Sequence, residues 1–302
     1  MTDRFVCSTA SSDRGEGVVA TASQVRAWLL VEVHGAWGAD AVEDSHLGVH
    51  VPDGWKHALK LRGIRPVCIR PPVRGPEPDL VRVFFVVAAR PGRNAGRIWR
   101  RTVPLAAVKY LTEDLRTDRE PEGWERHDDR IVLVCTNGKH DQCCANRGRP
   151  VVRHLRATRW AEEVWECSHI GGDRFAANLV VLPDSLYFGR MEPAEAEEIL
   201  DTHADGRIAL EWYRGRSTHR FAEQAAESAI RRAFDVRGVD DLALADDRSA
   251  GAVRAEVLGV GRIDAVVERS TTTVDEPLTC RGSAPQRVPR YEVTRLDGPD
   301  RS

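Results

Sequence analysis

The chain has 302 residues, and its 44 Lys and Arg residues nearly balance its 46 Asp and Glu residues, which gives a formal net charge of -2 at pH 7. This balance excludes a whole-chain attraction to nucleic acids or to anionic membranes. The length corresponds to about two domains, with a core large enough to fold without disulfide bonds. Residues 1–12 lack an apolar run of signal-peptide length, and no segment approaches the roughly 20 apolar residues of a membrane span. We therefore expect a soluble, cytoplasmic protein.

The first 120 residues alternate between extended and helical patterns, which predicts an N-terminal α/β region. Strands are predicted at residues 28–33, 66–69, 81–87 and 97–103, and helices at 55–61 and 105–115. A loop between the second and third strands is indicated by its helix-breaking and strand-breaking residues, Pro71, Pro72, Gly75, Pro76 and Pro78. A polar, turn-rich segment over 117–129 follows, so we place the first domain boundary after residue 120.

Residues 121–205 have the element order of a thioredoxin-like unit. Strands are predicted at 131–134, 163–167, 178–182 and 186–189, and helices at 151–157 and 193–203. The strand over 131–134 is entirely apolar, which suits a position buried on both faces of a sheet. The central domain is therefore expected to be a thioredoxin-like α/β domain, in which helices flank a mixed sheet. The first third repeats a similar order without residue-level similarity, which only weakly suggests an internal duplication.

Residues 206–302 predict a small α+β extension. The predicted elements are a short strand at 208–212, a long helix at 218–234, and strands near 252–258, 262–268 and 290–294. These strands either form a separate antiparallel sheet or extend the central one, and the sequence leaves both arrangements open.

The seven cysteines point to metal or redox chemistry rather than to disulfides, because a reducing compartment is expected and four of them fall between residues 135 and 167. The other three, Cys7, Cys68 and Cys280, are isolated in sequence. Cysteine is among the most buried residue types. We therefore interpret these three as core residues.

Cys135 and Cys167 each end a predicted strand, and strand ends at one edge of such a sheet converge. Cys144 follows Cys135 after eight residues, and His169 opens a glycine-containing loop after the second strand. Two thiolates, an imidazole and a nearby carboxylate suit either zinc or an iron–sulfur cluster. Structural zinc sites usually have closely spaced cysteine pairs, so the wider Cys135–Cys144 spacing favours a cluster.

Several motifs of the chain resemble the sucrase/ferredoxin-like family, whose members are thioredoxin-like ferredoxins. The motifs are the segments 135–144, 167–178 and 213–217 together with 224–227, and the resemblance extends over most of the chain. In characterised members, two cysteines spaced C-x8-C and two histidines spaced H-x3-H hold a [2Fe-2S] cluster. The resemblance implies that Cys135 and Cys144 are the cysteine ligands and that His169 is the first histidine.

The position of the second histidine is occupied by Asp173, which leaves the fourth ligand open among Asp173, Cys167 and Cys143. Asn137 and His140 also depart from the family pattern. They lie between ligand positions, so we expect them to tune hydrogen bonding to sulfur rather than to bind the cluster.

The sequence leaves two roles open for each of four further residues. Arg214 and Arg216 flank a glycine and either bind an external phosphate or carboxylate or form salt bridges within the fold. Arg174 and Asn178 either order the cluster loop or are ordinary turn residues.

These features predict an electron carrier whose partner is a reductase or an oxygenase. The first alternative is a thiol-dependent redox enzyme, although a C-x-x-C motif at a strand-to-helix turn is absent from the sequence. The second is an interaction protein with a structural zinc site. The sequence has neither a carboxylate pair in a glycosidase context nor a G-x-G-x-x-G or P-loop pattern.

Overall fold

The computed structural model describes residues 5–71, 79–113, 115–245, 251–283 and 285–299. The predicted loop residues Pro72, Gly75, Pro76 and Pro78 lie outside these ranges. The helices are α1 (Cys7–Asp13), α2 (Trp55–Leu61), α3 (Gln142–Leu155), α4 (Pro193–Ala204) and α5 (Phe221–Ala233). Short 3-10 helices span Leu105–Thr112 and Asp173–Phe175. None of the described helices combines the length and apolar character that crossing a membrane requires.

The strands up to residue 216 belong to one mixed sheet, and the later ones form a second sheet. The first group is β1 (Ala27–Glu32), β2 (Ile64–Arg70), β3 (Val81–Val87), β4 (Arg97–Val103), β5 (Glu125–His127), β6 (Ile131–Cys135), β7 (Val164–Cys167), β8 (Asn178–Leu182), β9 (Leu186–Gly189) and β10 (Tyr213–Arg216). The second group is β11 (Leu242–Leu244), β12 (Ala252–Val257), β13 (Gly261–Val274) and β14 (Gln286–Asp297). The predicted α/β class is thus confirmed.

The large sheet consists of two halves with the same connectivity. Its order is β10-β9-β8-β6-β7-β2-β1-β3-β4-β5. In each half a helix links two parallel strands, β1-α2-β2 and β6-α3-β7, and the next two strands pair antiparallel on the far side of the first. This is the connectivity expected of a thioredoxin-like unit, and its repetition supports an internal duplication of the architecture.

The two halves meet through β2 and β7, which pair antiparallel at Ile69 and Cys167. Both faces of the central strands are buried: in β1, Leu29 and Leu30 pack into different apolar clusters on opposite faces. The cluster that contains Leu30 also contains Leu133 of β6, so one core surface spans both halves. The division of the chain at residues 120 and 205 stays a prediction, and all three of its segments contribute strands to the large sheet, the last of them β10.

Three predicted elements are wrong in position or type. The strand expected at 208–212 is a turn segment, and the strand Tyr213–Arg216 follows it. Ile208 and Leu210 pack into the core from irregular backbone, which explains why their apolar character indicated a strand. The helix expected at 105–115 is a 3-10 helix, and the helix expected at 151–157 begins much earlier, at Gln142.

The C-terminal strands form a separate four-stranded antiparallel sheet in the order β11-β12-β13-β14. Helix α5 covers it with Ala226 and Ile230, which join the apolar cluster of this sheet. Of the two predicted arrangements, the separate sheet is therefore correct.

Candidate metal centre

The candidate site lies where β6 and β7 end. Cys135 is the last residue of β6 and Cys167 is the last residue of β7, and the two are partners in the parallel register. Paired residues on neighbouring strands direct their side chains to the same face of a sheet. The two thiols therefore contact each other in the core, where both are buried.

Cys144 reaches Cys135 because α3 begins close to the end of β6. Asp141 caps the helix by accepting a hydrogen bond of 2.9 Å from the Cys143 N–H group. One turn beyond Cys144, a Cβ atom added at Gly148 would overlap the carbonyl oxygen of Cys135. Glycine thus permits the close approach of helix and strand that places the Cys144 thiol against the Cys135 thiol.

The carboxylate of Asp173 joins the loop after β7 to the cysteines. Its Oδ1 atom lies 3.1 Å from Cys144 Sγ and 2.9 Å from His169 Nδ1. Gly171 and Gly172, with φ angles of 102° and 84°, turn the chain between His169 and Asp173. Asp173 is only 4% exposed. The structure therefore brings the three predicted residues Cys144, His169 and Asp173 to one buried point.

His140 also belongs to this group, although its sequence position indicated only a tuning role. Its ring stacks on the ring of His169 with a centroid distance of 3.8 Å, and its Nε2 atom lies 3.7 Å from Asp173 Oδ2. Its Nδ1 atom lies 3.1 Å from the carbonyl oxygen of Ala39, and since a carbonyl only accepts, Nδ1 donates this hydrogen bond. The free lone pair is then on Nε2, as is usual for a metal-binding histidine whose other nitrogen is anchored.

The thiols of this site differ in pKa. Hydrogen bonds from Cys144 and then Cys167 lower the pKa of Cys135 well below its ordinary value. The hydrogen bond to Cys135 and burial raise the pKa of Cys144, and burial above all raises the pKa of Cys167. Burial opposes the ionisation of Asp173, but its contacts with the His169 imidazole outweigh burial and keep the pKa of the carboxyl below its usual range. Negative charge is thus concentrated in a buried place, where a bound cation would balance it.

A buried arginine fixes the loop that carries His169 and Asp173. The guanidinium of Arg214 donates hydrogen bonds to the carbonyl oxygens of Gly171 (3.1 Å) and Thr21 (2.6 Å) and to Asn178 Oδ1 (2.6 Å). Asn178 in turn donates to the Gly172 carbonyl at 2.8 Å. Of the two roles that the sequence left open for Arg214, the internal one agrees with this geometry, although these bonds go to neutral oxygen atoms rather than to the expected salt-bridge partners. A loop-ordering role for Asn178 also agrees.

Arg216 and Arg174 likewise act within the fold. Arg216 is fully buried and donates to the carbonyl oxygens of Asp184 and Val239 at 2.9 Å each. Arg174 binds the carboxylate of Glu16 at 2.8 Å and thereby links the loop of the site to the segment after α1.

The remaining cysteines divide into two kinds. The Cys68 thiol is buried and donates to the Ala41 carbonyl at 3.2 Å, as expected for a core residue. Cys143 lies beside Cys144 in sequence, yet its thiol contacts Cys7 and Cys280, at 3.6 Å and 3.4 Å. Sequence reasoning missed this second group because 136 and 137 residues separate Cys143 from its two partners.

The two histidines are the part of the site that reaches solvent. The side chains of His169 and His140 are 28% and 36% exposed, and both line an open cleft of about 970 Å³. Basic side chains dominate the ionisable residues of its wall: Arg26, Lys56, Lys60, Arg62, Arg65 and Arg220.

Comparison with solved structures returns the thioredoxin-like [2Fe-2S] ferredoxin from Aquifex aeolicus. Two cysteine-to-serine variants match at 18% identity over 28% of this chain and 97% of the ferredoxin, with a TM-score of 0.25. A further structure of that ferredoxin matches at 18% identity over 29% of this chain and 91% of the other, also with a TM-score of 0.25. No curated protein matches the sequence.

The comparison with family models gives a much longer match. The sucrase/ferredoxin-like model matches residues 18–215, which is well over half of the chain and extends from before β1 into β10. It includes the ends of β6 and β7, the start of α3 and the loop that carries His169 and Asp173. The resemblance inferred from the motifs is therefore confirmed, and the chain belongs to the sucrase/ferredoxin-like family.

Proposed function

We propose that this chain is an electron-transfer protein that carries one electron on a [2Fe-2S] cluster at the candidate site. The observation that carries the proposal is the convergence of a thiol, an imidazole and a carboxylate, since Asp173 Oδ1 lies within 3.1 Å of both Cys144 Sγ and His169 Nδ1. The Cys135 thiol adjoins the same point. Sulfur and imidazole are the donors of mixed-ligand clusters.

The surroundings of the His169 Nδ1 atom support a metal centre at this point. Its Nδ1 atom is buried, and although it lies 2.9 Å from Asp173 Oδ1, the two atoms are not aligned for a hydrogen bond. Within the described part of the chain this nitrogen has no hydrogen-bond partner. A metal bound at Nδ1 would give this nitrogen a partner, so the residues present fit the cofactor.

The proposed ligands are Cys135, Cys144 and His169, with the fourth position supplied by Asp173 or His140. Asp173 occupies the place of the second family histidine, whereas His140 offers an imidazole with its Nε2 lone pair free. Cys167 contacts Cys135 and supports its thiolate by hydrogen bonding. When bound, the cluster would accept and return one electron, at a potential above that of all-cysteine ferredoxins because histidine replaces thiolate.

The surroundings of the ligands suit electron exchange with another protein. The cysteines are buried, and the two half-exposed imidazoles line the basic cleft. We propose a redox partner, a reductase or an oxygenase, that presents acidic residues to this cleft and docks in the cytoplasm by charge complementarity.

The proposal is tested on protein purified without oxygen. We expect two irons and two sulfides per chain, a visible absorption that dithionite bleaches, and a rhombic S = 1/2 electron paramagnetic resonance (EPR) signal after reduction. A colourless protein that takes up no iron and sulfide during anaerobic reconstitution would contradict it.

Two variants identify the fourth ligand. Asp173→Ala and His140→Ala each remove one candidate, and the ligand is the residue whose loss abolishes the reduced EPR signal or changes its g values. The other variant is expected to keep the signal. If both variants keep the wild-type g values, neither residue is a ligand.

A thiol-dependent enzyme is less well supported. The thiols whose pKa values are lowered are Cys135 and Cys143, the latter to about 6 because it accepts a hydrogen bond from Cys7. Both are only 1% exposed. A substrate thiol or peroxide would not reach them without opening of the core.

A further inference from the structure

A second group of cysteines lies on the other side of the start of α3. We call Cys7, Cys143, Cys280 and the adjacent Asp141 the three-cysteine cluster. The sulfur–sulfur distances are 3.6 Å between Cys7 and Cys143, 3.4 Å between Cys143 and Cys280, and 3.5 Å between Cys280 and Cys7. The sulfurs thus form a nearly equilateral triangle, and all three cysteines are free.

This triangle has the dimensions of a metal site. Zinc–sulfur bonds of about 2.3 Å in a tetrahedron place the sulfur atoms about 3.8 Å apart, slightly farther than they lie here. A disulfide would require a sulfur–sulfur distance of about 2.05 Å, and one disulfide would leave the third thiol unpaired. The spacing therefore suits three thiolates around one ion.

Asp141 supplies a fourth donor at the same place. Its carboxylate oxygens lie 3.7 Å and 3.6 Å from Cys7 Sγ. Oδ1 accepts a hydrogen bond from the Cys143 N–H group and Oδ2 accepts one from the Cys280 N–H group, at 2.9 Å and 2.7 Å. These bonds orient the carboxylate in the way that supporting hydrogen bonds orient metal ligands.

The cluster lacks a positive side chain to balance its carboxylate. Asp141 is 1% exposed, and among the residues that the structure describes no Lys, Arg or His forms an ion pair with it. Cys7 and Cys143 are also buried, and Cys280 is half-buried. Two N–H groups and the N-terminus of α3 stabilise this carboxylate in part. A divalent cation would also balance the charge of thiolates beside it.

From this geometry we infer that Cys7, Cys143, Cys280 and Asp141 form a structural zinc site. Four protein donors close the coordination sphere, which is typical of structural rather than catalytic zinc. The ion would tie α1, the start of α3 and the connection between β13 and β14 together, three segments that are far apart in sequence.

The proposed zinc site shares no residue with the proposed cluster, and two of its ligands lie outside the segment that the family model matches. The family model begins at residue 18 and ends at residue 215, so Cys7 and Cys280 lie outside the matched segment. The two sites share no ligand. Zinc can therefore be present whether or not the iron–sulfur centre is.

The test is element analysis of the reduced full-length protein, with zinc measured beside iron and sulfide. We expect one zinc per chain in the wild type and at least a tenfold loss in the double variant Cys7→Ser/Cys280→Ser. Cys68→Ser is the matched control, because this lone buried cysteine belongs to neither group. Asp141→Asn keeps a helix-capping side chain and should weaken zinc retention against a chelator without changing the visible spectrum.

If the wild type is isolated without zinc, the reduced protein is titrated with Zn²⁺ against a chromophoric chelator and with Co²⁺, whose tetrahedral thiolate complexes absorb strongly. Three results overturn the inference: failure to take zinc from the chelator, retention of zinc by the double variant, or a disulfide between two of the three cysteines in mass spectra of a freshly lysed sample that is alkylated without added reductant. Circular dichroism of each variant separates loss of the site from loss of the fold.

Discussion

Two adjacent residues, Cys143 and Cys144, direct their thiols into two different cysteine groups. Cys144 contributes to the sheet-edge site, which we define as Cys135, Cys144, His140, His169 and Asp173. Cys143 contributes to the three-cysteine cluster. The residues of the first lie between positions 135 and 173, whereas the second combines residues up to 273 positions apart.

The two groups also differ in access. The sheet-edge site reaches a cleft through half-buried imidazoles, whereas the three-cysteine cluster is more enclosed, with Cys7, Cys143 and Asp141 buried and Cys280 half-buried. An open site suits exchange with a partner and a closed one suits structural support. The comparison teaches that cysteines next to each other in sequence can serve separate tasks when both lie in the first turn of a helix, where successive side chains point about 100° apart.

The largest expected effect comes from substituting the two adjacent cysteines one at a time. Cys144→Ser should abolish the visible absorption and the EPR signal and leave zinc at wild-type content. Cys143→Ser should do the reverse, because its thiol contacts Cys7 and Cys280 of the other group. Spectroscopy and metal analysis of the two proteins test this. Equal loss of both metals in both variants would show that the groups are not independent.

The next effect concerns a buried ionic network that belongs to neither group. Glu227 is fully buried, and its carboxylate binds Arg231 at 3.0 Å and His219 at 2.9 Å and accepts a hydrogen bond from Tyr213 at 3.0 Å. Glu227→Gln leaves a buried cation uncompensated and should lower the free energy of unfolding by about 3–5 kcal/mol at pH 7. Urea unfolding measures this, with the exposed Glu256→Gln as the control, while both metals stay bound.

The loss of stability caused by Glu227→Gln should depend on pH, and the pKa of Glu227 fixes the direction of that dependence. Burial opposes the ionisation of Glu227, but His219 and Arg231 outweigh it and hold the pKa of the carboxyl well below its usual range. Its stabilising effect is therefore complete above the unfolded pKa of about 4.3 and is lost as the pH falls below that value. The stability difference between wild type and variant should shrink on acidification. A difference that grows would contradict this assignment.

A smaller effect is expected at the contact between α3 and β6. Gly148→Ala places a methyl group against the Cys135 carbonyl and should destabilise the protein by about 1–3 kcal/mol. It should also reduce cluster content, because it displaces Cys144 from Cys135. Gly17→Ala is the control, since an added Cβ there meets no atom within 4 Å. Unfolding and iron content equal to those of the control would contradict the prediction.

The smallest effect is expected at the cleft. Lys60 is exposed on its wall, and Lys60→Glu should slow reduction of the protein by an anionic mediator several-fold at low salt. Arg295→Glu makes the same charge change on β14, outside the cleft. Stopped-flow rates that respond equally to both substitutions would show that the cleft is not the route of the electron.

The elements that sequence predicts best are those with strong local signals. The strands Asn178–Leu182 and Leu186–Gly189 agree with the predicted bounds, because apolar runs flank a Pro-containing turn. The start of α3 was missed because Gly148 and Pro150 disfavour a helix. Asp141 caps that helix, and the glycine is needed for contact with β6, so tertiary packing overrides local propensity.

Sequence reasoning identified the residues of the candidate site that belong to short motifs. Cys135, Cys144, His169 and Asp173 lie close together as the motif spacing indicated. His140 was not assigned as a ligand, because its stacking on His169 depends on how two loops meet. Cys7 and Cys280 were interpreted as isolated core residues, since a sequence separation of 273 gives no local signal of contact.

The wide separation of Cys7 and Cys280 has a consequence for biosynthesis. All proposed ligands of the sheet-edge site have been translated by residue 173, whereas the third sulfur of the other group is added only at residue 280 of 302. Nascent chains begin to fold from the N-terminal side. The ligand set proposed for iron is therefore complete before the C-terminal sheet is made, whereas the ligand set proposed for zinc is completed only by a residue that follows β13.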